Sequence, residues 1–400
     1  MRYLDIGTKK KISKIGLGTW QFGSREWAYG KAYDEHVAYA IVRRAVELGV
    51  TLFDTAEIYS AGRSERILGR ALGEDRESVF IAGKVFPLAV GGPLLKQRAV
   101  ASANRLGISR FDLYQVHYPN PLTPDGAIMP RMRSLQQAGL VGEVGVSSYS
   151  VERWRAAEQA LRARILSNQV GYSLVDRSAE DDLLPFAESH GRVIIAHSPL
   201  AQGLLSGRYD ETSLPSDRLR ATSSPFRPEG IKRIRFLMTV LREVADAHSA
   251  VPAQIALAWV IRRPGVAAIP GASSVEQLER NVAAAGIQLA DDEYAALAAA
   301  SAVSLQPGSA GMPPRRRLAE LKHCANGGRY LAKTLWHDYE LSRHGSLGRP
   351  GPDGISLLPA LNMLPVIRGS RRPQTPARFA GQTPVRRTGE GQQLPSLRIR

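Results

Sequence analysis

One cysteine, Cys324, is the whole thiol content of this 400-residue chain. That excludes an internal disulfide and a thiolate-based metal cluster. No apolar run approaches the ~20 residues needed to span a bilayer. The opening segment MRYLDIGTKKKISKIGLG has no uninterrupted apolar stretch and is not read as a secretory leader. These absences suit a cytoplasmic enzyme. A phosphate-binding turn of the G-x-G-x-x-G type is missing too. The first apolar run continues as GLGTWQFG, with bulky Trp20 and Phe22 and no helix start behind it. An open, doubly wound sheet is therefore disfavoured.

Charge is unbalanced at one end only. Lys and Arg outnumber Asp and Glu by 53 to 37, a formal net charge of +16. Residues 306–400 hold 16 of the basic residues and 5 of the acidic ones, so the first 305 residues are close to ordinary. Whole-chain charge is thus no argument for nucleic-acid binding. The same tail carries 11 of the 25 prolines, in stretches such as GRPGPDG and GSRRPQTPARFAGQ. Such composition buries too little apolar surface to offset chain entropy. The expected division is a folded unit over 1–305 and a mostly disordered tail over 306–400, with at most a short helix within 316–342. No membrane or nucleic-acid partner is expected, the basic tail being the one feature that leaves the second question open.

What the first 305 residues do have is alternation. Strand-like runs fall at 15–18, 51–54, 79–84, 113–117, 143–147, 165–170, 193–198 and 266–270, after a short hairpin formed by two small apolar runs around GTKKK. Helical spacing of apolar residues fills the gaps, at 35–48, 64–72, 94–106, 125–139, 151–162, 180–189, 230–247, 252–262, 274–284 and 291–300. Ser64 is the expected N-cap of the second of these. Eight strands alternating with helices predict an α/β fold, a (β/α)8 TIM barrel with an N-terminal β-hairpin.

Three consecutive strand-like runs each end in a polar group: Asp54 after VTLF, Lys84 after VFIAG, and His117 after DLYQV. Tyr59 follows Asp54 in the loop TAEIY. A parallel barrel builds its site from strand ends and the loops behind them. The four also make a coherent set: a proton donor, a cation to tune it, an anion to hold the cation, and a polar group to orient a substrate. Singly, each has a bland alternative as a turn, cap or packing residue.

These segments resemble the aldo-keto reductases, in the branch of bacterial aldehyde reductases and potassium-channel β-subunits. The resemblance spans roughly residues 2–303. It rests on the order and spacing of GLGTWQFG, FDTAEIY with GRSE, FIAGK, DLYQVH, GVSS, NQVGYS, SPLAQGLLSGRY and PGASSVEQLERN. It implies hydride transfer between a nicotinamide cofactor and a carbonyl carbon, without a metal. Asp54, Tyr59, Lys84 and His117 are then catalytic. Tyr59 is the proton donor, and Lys84 is expected to lower its pKa from the ordinary value of about 10.

The resemblance also assigns cofactor contacts. Thr19 and Trp20 lie near the nicotinamide ribose. Ser147, Ser148 and Gln169 serve the carboxamide, although relatives often carry Asn or Arg in place of Ser148. His197 stands where a Tyr or Trp usually stacks on the ring. Ser198, Leu200, Gln202 and Gly203 line the pyrophosphate, with Arg208 and Arg218 as cations; a solvated loop is the alternative there. Gly271, Ser273, Gln277 and Asn281 match the adenosine end, at a helix start that favours an anion. Arg280 replaces a common Glu and adds charge for a 2′-phosphate, so NADP(H) is preferred to NAD(H). The long, turn-rich segment 204–230 would cover the cofactor.

Trp20, Trp27, Phe86 and Tyr118 are the candidate aromatic substrate pocket, with simple packing as the alternative. Small aldehydes, aromatic aldehydes, dicarbonyls and sugars all fit that description. A rival function is a cofactor-binding regulatory subunit with little turnover; His117, absent from the channel-associated relatives, favours an active reductase. Because a histidine titrates near pH 6.5, position 197 carries a pH expectation. NADPH should bind more weakly at about pH 5.5 than at about pH 7.5. Fluorescence titration of a His197→Tyr variant should abolish the difference; an unchanged pH dependence sinks the idea.

Overall fold

The computed structural model describes residues 1–305, apart from 89, 92, 216, 217 and 222. The expectations for 306–400 lie outside the described residues. A hairpin of β1 (Tyr3–Leu4) and β2 (Ile12–Ser13) comes first. Eight parallel strands follow: β3 (Leu17–Gly18), β4 (Leu52–Asp54), β5 (Phe80–Val85), β6 (Phe111–Val116), β7 (Val141–Ser147), β8 (Ser167–Gly171), β9 (Val193–His197) and β10 (Val266–Ala268). Each pairs with the next in chain order. Ile15, just before β3, pairs in parallel with Ala268. The Gly16 amide donates to the Ala268 carbonyl at 2.8 Å, and the Ala268 amide to the Lys14 carbonyl at 2.8 Å. The first and last strands are thereby joined, and the sheet closes into the expected barrel.

Strand periodicity decides what faces the interior. Leu52, Phe80, Ala82, Leu113, Val193, Ile195, Ala267 and Ile269 pack together inside the ring. Ile6 and Ile12 of the hairpin join this cluster and plug its lower end. The hairpin is tied there by Ser13, whose Oγ accepts from the amides of Thr51 and Leu52, and by Lys10, which donates to the Val79 carbonyl and to Asp112. The alternate residues, among them Phe53, Ile81, Tyr114, Val144 and Ile194, face outward into the helix layer with Leu68, Leu106, Met129, Trp154 and Trp259. Further along these inward-facing rows come Asp54, two residues after Leu52, Lys84, two after Ala82, and His117, four after Leu113. The pleat that fills the core below therefore places polar groups at its upper rim.

Helices form where the periodicity predicts, with local differences. Asp34 caps Glu35–Glu47 by accepting from the Val37 amide, and Ser150 caps Val151–Leu161 through the Arg153 amide. The helix expected at 64–72 is Arg63–Leu72 with Gly62 at its N-cap. Ser64 does not cap it; the hydroxyl donates to the Thr19 carbonyl at 2.8 Å and sits 2.8 Å from Thr19 Oγ1. The single helix expected over 230–247 is two, Pro228–Arg233 and Arg235–Ala247, separated at Ile234. The segment expected as a covering loop holds short turns of helix at Ala201–Ser206, Arg218–Ala221 and Ser224–Phe226. Among the described residues, no single helix is long and apolar enough to cross a membrane.

Helix Arg63–Leu72 approaches helix Leu94–Leu106 at Gly69. A Cβ there would stand 2.4 Å from the Leu106 carbonyl oxygen. Gly69→Ala should therefore destabilise the protein by about 1–3 kcal/mol through overpacking, despite the ~1 kcal/mol that alanine offers a helix. Urea unfolding measures it; a stabilised variant would refute the close crossing.

Candidate active site

Lys84 is fully buried, and its ammonium has three partners. Nζ donates to Asp54 Oδ2 at 2.6 Å, to the Thr55 carbonyl at 3.0 Å and to Tyr59 Oη at 3.0 Å. The three N–H donors of a lysine are thus all engaged. Asp54 is held from its other side: Gln169 Nε2, from β8 across the ring, donates to Oδ1 at 2.7 Å. The Asp54 carbonyl accepts from Thr19 Oγ1 at 2.9 Å. His117 closes the group, its ring edge-on to Tyr59 with centroids 5.6 Å apart. The four residues expected to be catalytic lie together at the strand ends.

The electrostatics differ from expectation on one point. Burial pushes the Tyr59 phenol well above the ordinary tyrosine value, and the Asp54 charge adds to this. The expected lowering by Lys84 is outweighed, because the protein around the hydroxyl penalises the phenolate more than one shared ammonium favours it. The phenol is therefore held in its protonated form at neutral pH. That form can give a proton, and Lys84 is placed to meet the charge left behind.

The candidate pocket residues surround this centre. Trp20 lies 6.5 Å from the Tyr59 ring and packs edge-on against Trp27 at 5.1 Å. Tyr118 stacks on His117 at 4.5 Å, and Phe86 meets His117 edge-on at 6.5 Å. Phe86 is buried, whereas Trp20 is 42% exposed and forms the open wall.

The residues expected at the cofactor fall along one side of the rim. Ser147 Oγ donates to the Gln169 carbonyl at 2.9 Å, and Ser148 extends this corner with its amide on the same carbonyl. Thr19 is fully buried and spends its hydroxyl on Asp54 and Ser64. His197 ends β9, with Nδ1 3.3 Å from Ser198 Oγ. Beyond Leu200, the residues Ala201, Gln202 and Gly203 all have positive φ. These left-handed residues bend the segment into a tight turn, in which the Ala201 and Gly203 amides donate to the Ser198 and Leu200 carbonyls. Arg208 is exposed nearby; the side chain of Arg218 is outside the described residues. At the far end, Ser273 donates through its amide and hydroxyl to Gln277 Oε1, and Asn281 Nδ2 donates to the Gly271 carbonyl. Arg280 pairs on the surface with Glu276. The helix start capped by Ser274 and the corner formed by Ser147 and Gln169 are compatible with a dinucleotide along this rim.

Several residues in and around the site have no role assigned from the sequence. Gln21 Nε2 bridges the carbonyls of Gly18 and Ala272, tying the loop after β3 to the adenosine end. Arg220 donates to the Gln202 carbonyl at 2.7 Å while its guanidinium lies 4.8 Å over Trp27, joining the covering segment to the aromatic wall. Glu57 and Arg98 form a buried ion pair behind Tyr59.

A buried charge left without its partner is costly, so the Asp54–Lys84 pair has a stability signature. Lys84→Met should lower unfolding free energy by about 3–5 kcal/mol, and Lys84→Met with Asp54→Leu should recover part of that loss. Chemical denaturation reads both. Equal stability of the single variant and wild type would show the pair to be solvated.

Comparison with known proteins agrees with this geometry. The model of the aldo/keto reductase family matches residues 14–302. An uncharacterized oxidoreductase of Mycobacterium tuberculosis is 54% identical over 311 residues, covering 78% of this chain and 96% of that protein. Methylglyoxal reductase YeaE of Escherichia coli is 32% identical, over 72% of this chain and 90% of its own length. The crystal structure of an aldo/keto reductase from Klebsiella pneumoniae, in complex with NADP and acetate, superposes with a TM-score of 0.57. It shares 31% identity, over 72% of this chain and 90% of that one. With the barrel, the rim and these matches in agreement, the chain belongs to the aldo/keto reductase family.

Proposed function

We propose that this protein is an NADP(H)-dependent reductase of aldehyde or ketone carbonyls, with Tyr59 as the proton donor. The observation that carries the proposal is the 3.0 Å contact between Lys84 Nζ and the Tyr59 hydroxyl, beneath an open aromatic wall. A family member crystallised with NADP supports the cofactor. We take residues 1–305 as the catalytic unit and the cytoplasm as its compartment.

Bound nicotinamide would supply the hydride. The remaining work falls to side chains. His117 and Tyr59 share one edge of the cleft, where a carbonyl oxygen can accept from both. Negative charge grows on that oxygen as the carbon is reduced, and Tyr59 transfers its phenolic proton to it. The phenolate left behind faces Lys84, whose position is fixed by Asp54 and Gln169. Re-protonation from solvent resets the site. Trp20, Trp27, Phe86 and Tyr118 give a flat apolar enclosure, which favours aromatic aldehydes over strongly hydrated small carbonyls.

The test is NADPH oxidation with a substituted benzaldehyde. Wild type should turn over, and Tyr59→Phe should lose at least ~100-fold in kcat with NADPH binding retained. Equal turnover in the two would remove Tyr59 as donor. Binding of NADPH without turnover in wild type would favour the regulatory-subunit alternative.

A further inference from the structure

Behind the Tyr59 loop lies a buried cluster of four charges that the reductase chemistry does not itself require. Helix Leu94–Leu106 presents Arg98, Ser102 and Arg105 on one face, at helical spacing. Arg98 is 1% exposed and grips Glu57 with a two-pronged fork, Nε to Oε2 at 3.1 Å and Nη2 to Oε1. The same guanidinium donates to the Phe86 carbonyl at 2.6 Å and to the Leu88 carbonyl. Glu57 Oε1 in turn accepts from the Phe86 amide at 2.6 Å. Further along the same face, Ser102 and Arg105 donate to Glu65 on helix Arg63–Leu72.

The two pairs are alike in burial but not in what they join. Arg105–Glu65 links two helices. Arg98–Glu57 links the two loops that carry the reaction: Glu57 is two residues before Tyr59, and Phe86 is two residues after Lys84. A buried ion pair rarely adds net stability over an apolar substitute, so geometric definition is the better account of its presence.

We propose that Glu57 and Arg98 are positioning residues that staple the loop after β4 to the loop after β5 and so set the Lys84–Tyr59 separation on which proton transfer depends. The proposal rests on the reductase function argued above. Misplacing a catalytic group by about 1 Å is enough to cost roughly 100-fold in rate.

Arg98→Lys keeps the charge and removes the fork, and Arg105→Lys is its matched control. Both should lower the unfolding midpoint. Only Arg98→Lys should lose about 100-fold in kcat, with KM for NADPH within about twofold of wild type. Equal kcat losses in both variants, or an unchanged kcat in Arg98→Lys, would overturn the staple. If Arg98→Lys does not fold, Glu57→Gln carries the same comparison against Glu65→Gln. Crystal structures of the variants read the claim without turnover. The Lys84 Nζ to Tyr59 Oη distance should open beyond about 3.5 Å in the Arg98 or Glu57 variant and stay bonded in its control. A retained contact would overturn the proposal, whereas absence of turnover in wild type would instead refute the reductase function.

Discussion

The Lys84 ammonium is the constraint around which the upper rim is arranged. A charge with no access to water must find replacements for every hydrogen bond it gives up. Those replacements come from Asp54, from the Thr55 carbonyl and from Tyr59, so β4 and its loop must close over β5. Asp54 then needs its second oxygen satisfied, and Gln169 reaches across from β8. One buried proton donor set thus fixes a tyrosine, a carboxylate and a distant amide in a single network. The bonds that satisfy the buried ammonium are the same ones that place the candidate proton donor.

A second line of order runs along the rim. Gln21 ties the loop after β3 to the Ala272 carbonyl beyond β10, and Arg220 ties the covering segment to Trp27. These two residues add to the links that Gln169 and Thr19 already make to Asp54. The wall that would receive a substrate ring is therefore mechanically continuous with the segment that would cover the dinucleotide.

Much of this was legible in the sequence, for identifiable reasons. Strand ends are visible because an apolar run stops at a polar residue; Asp54, Lys84 and His117 stand out on that ground alone. The aromatic wall was visible as exposed-type aromatics beside those ends. Other features were hidden because they depend on partners far away in the chain. Glu57 and Arg98 look like surface charges until the helix and the loop are brought together. Thr19 reads as a ligand contact, yet Asp54 and Ser64 take its hydroxyl. The direction of the Tyr59 shift needed the density of protein around the phenol, which no local pattern encodes. The break at Ile234 likewise lies inside an unbroken apolar periodicity.

Closure of the ring has a consequence for how the molecule assembles. Ile15 waits for a partner at Ala268, about 250 residues later, and contacts that distant make closure a late, slow event. The strands that carry Asp54, Lys84 and His117 are consecutive, so their part of the sheet can pair while the chain is still being made. The residues that would grip the adenosine end follow β10 and arrive last. In chain order the strands bearing Asp54, Lys84 and His117 come early, and β10 completes the ring they belong to.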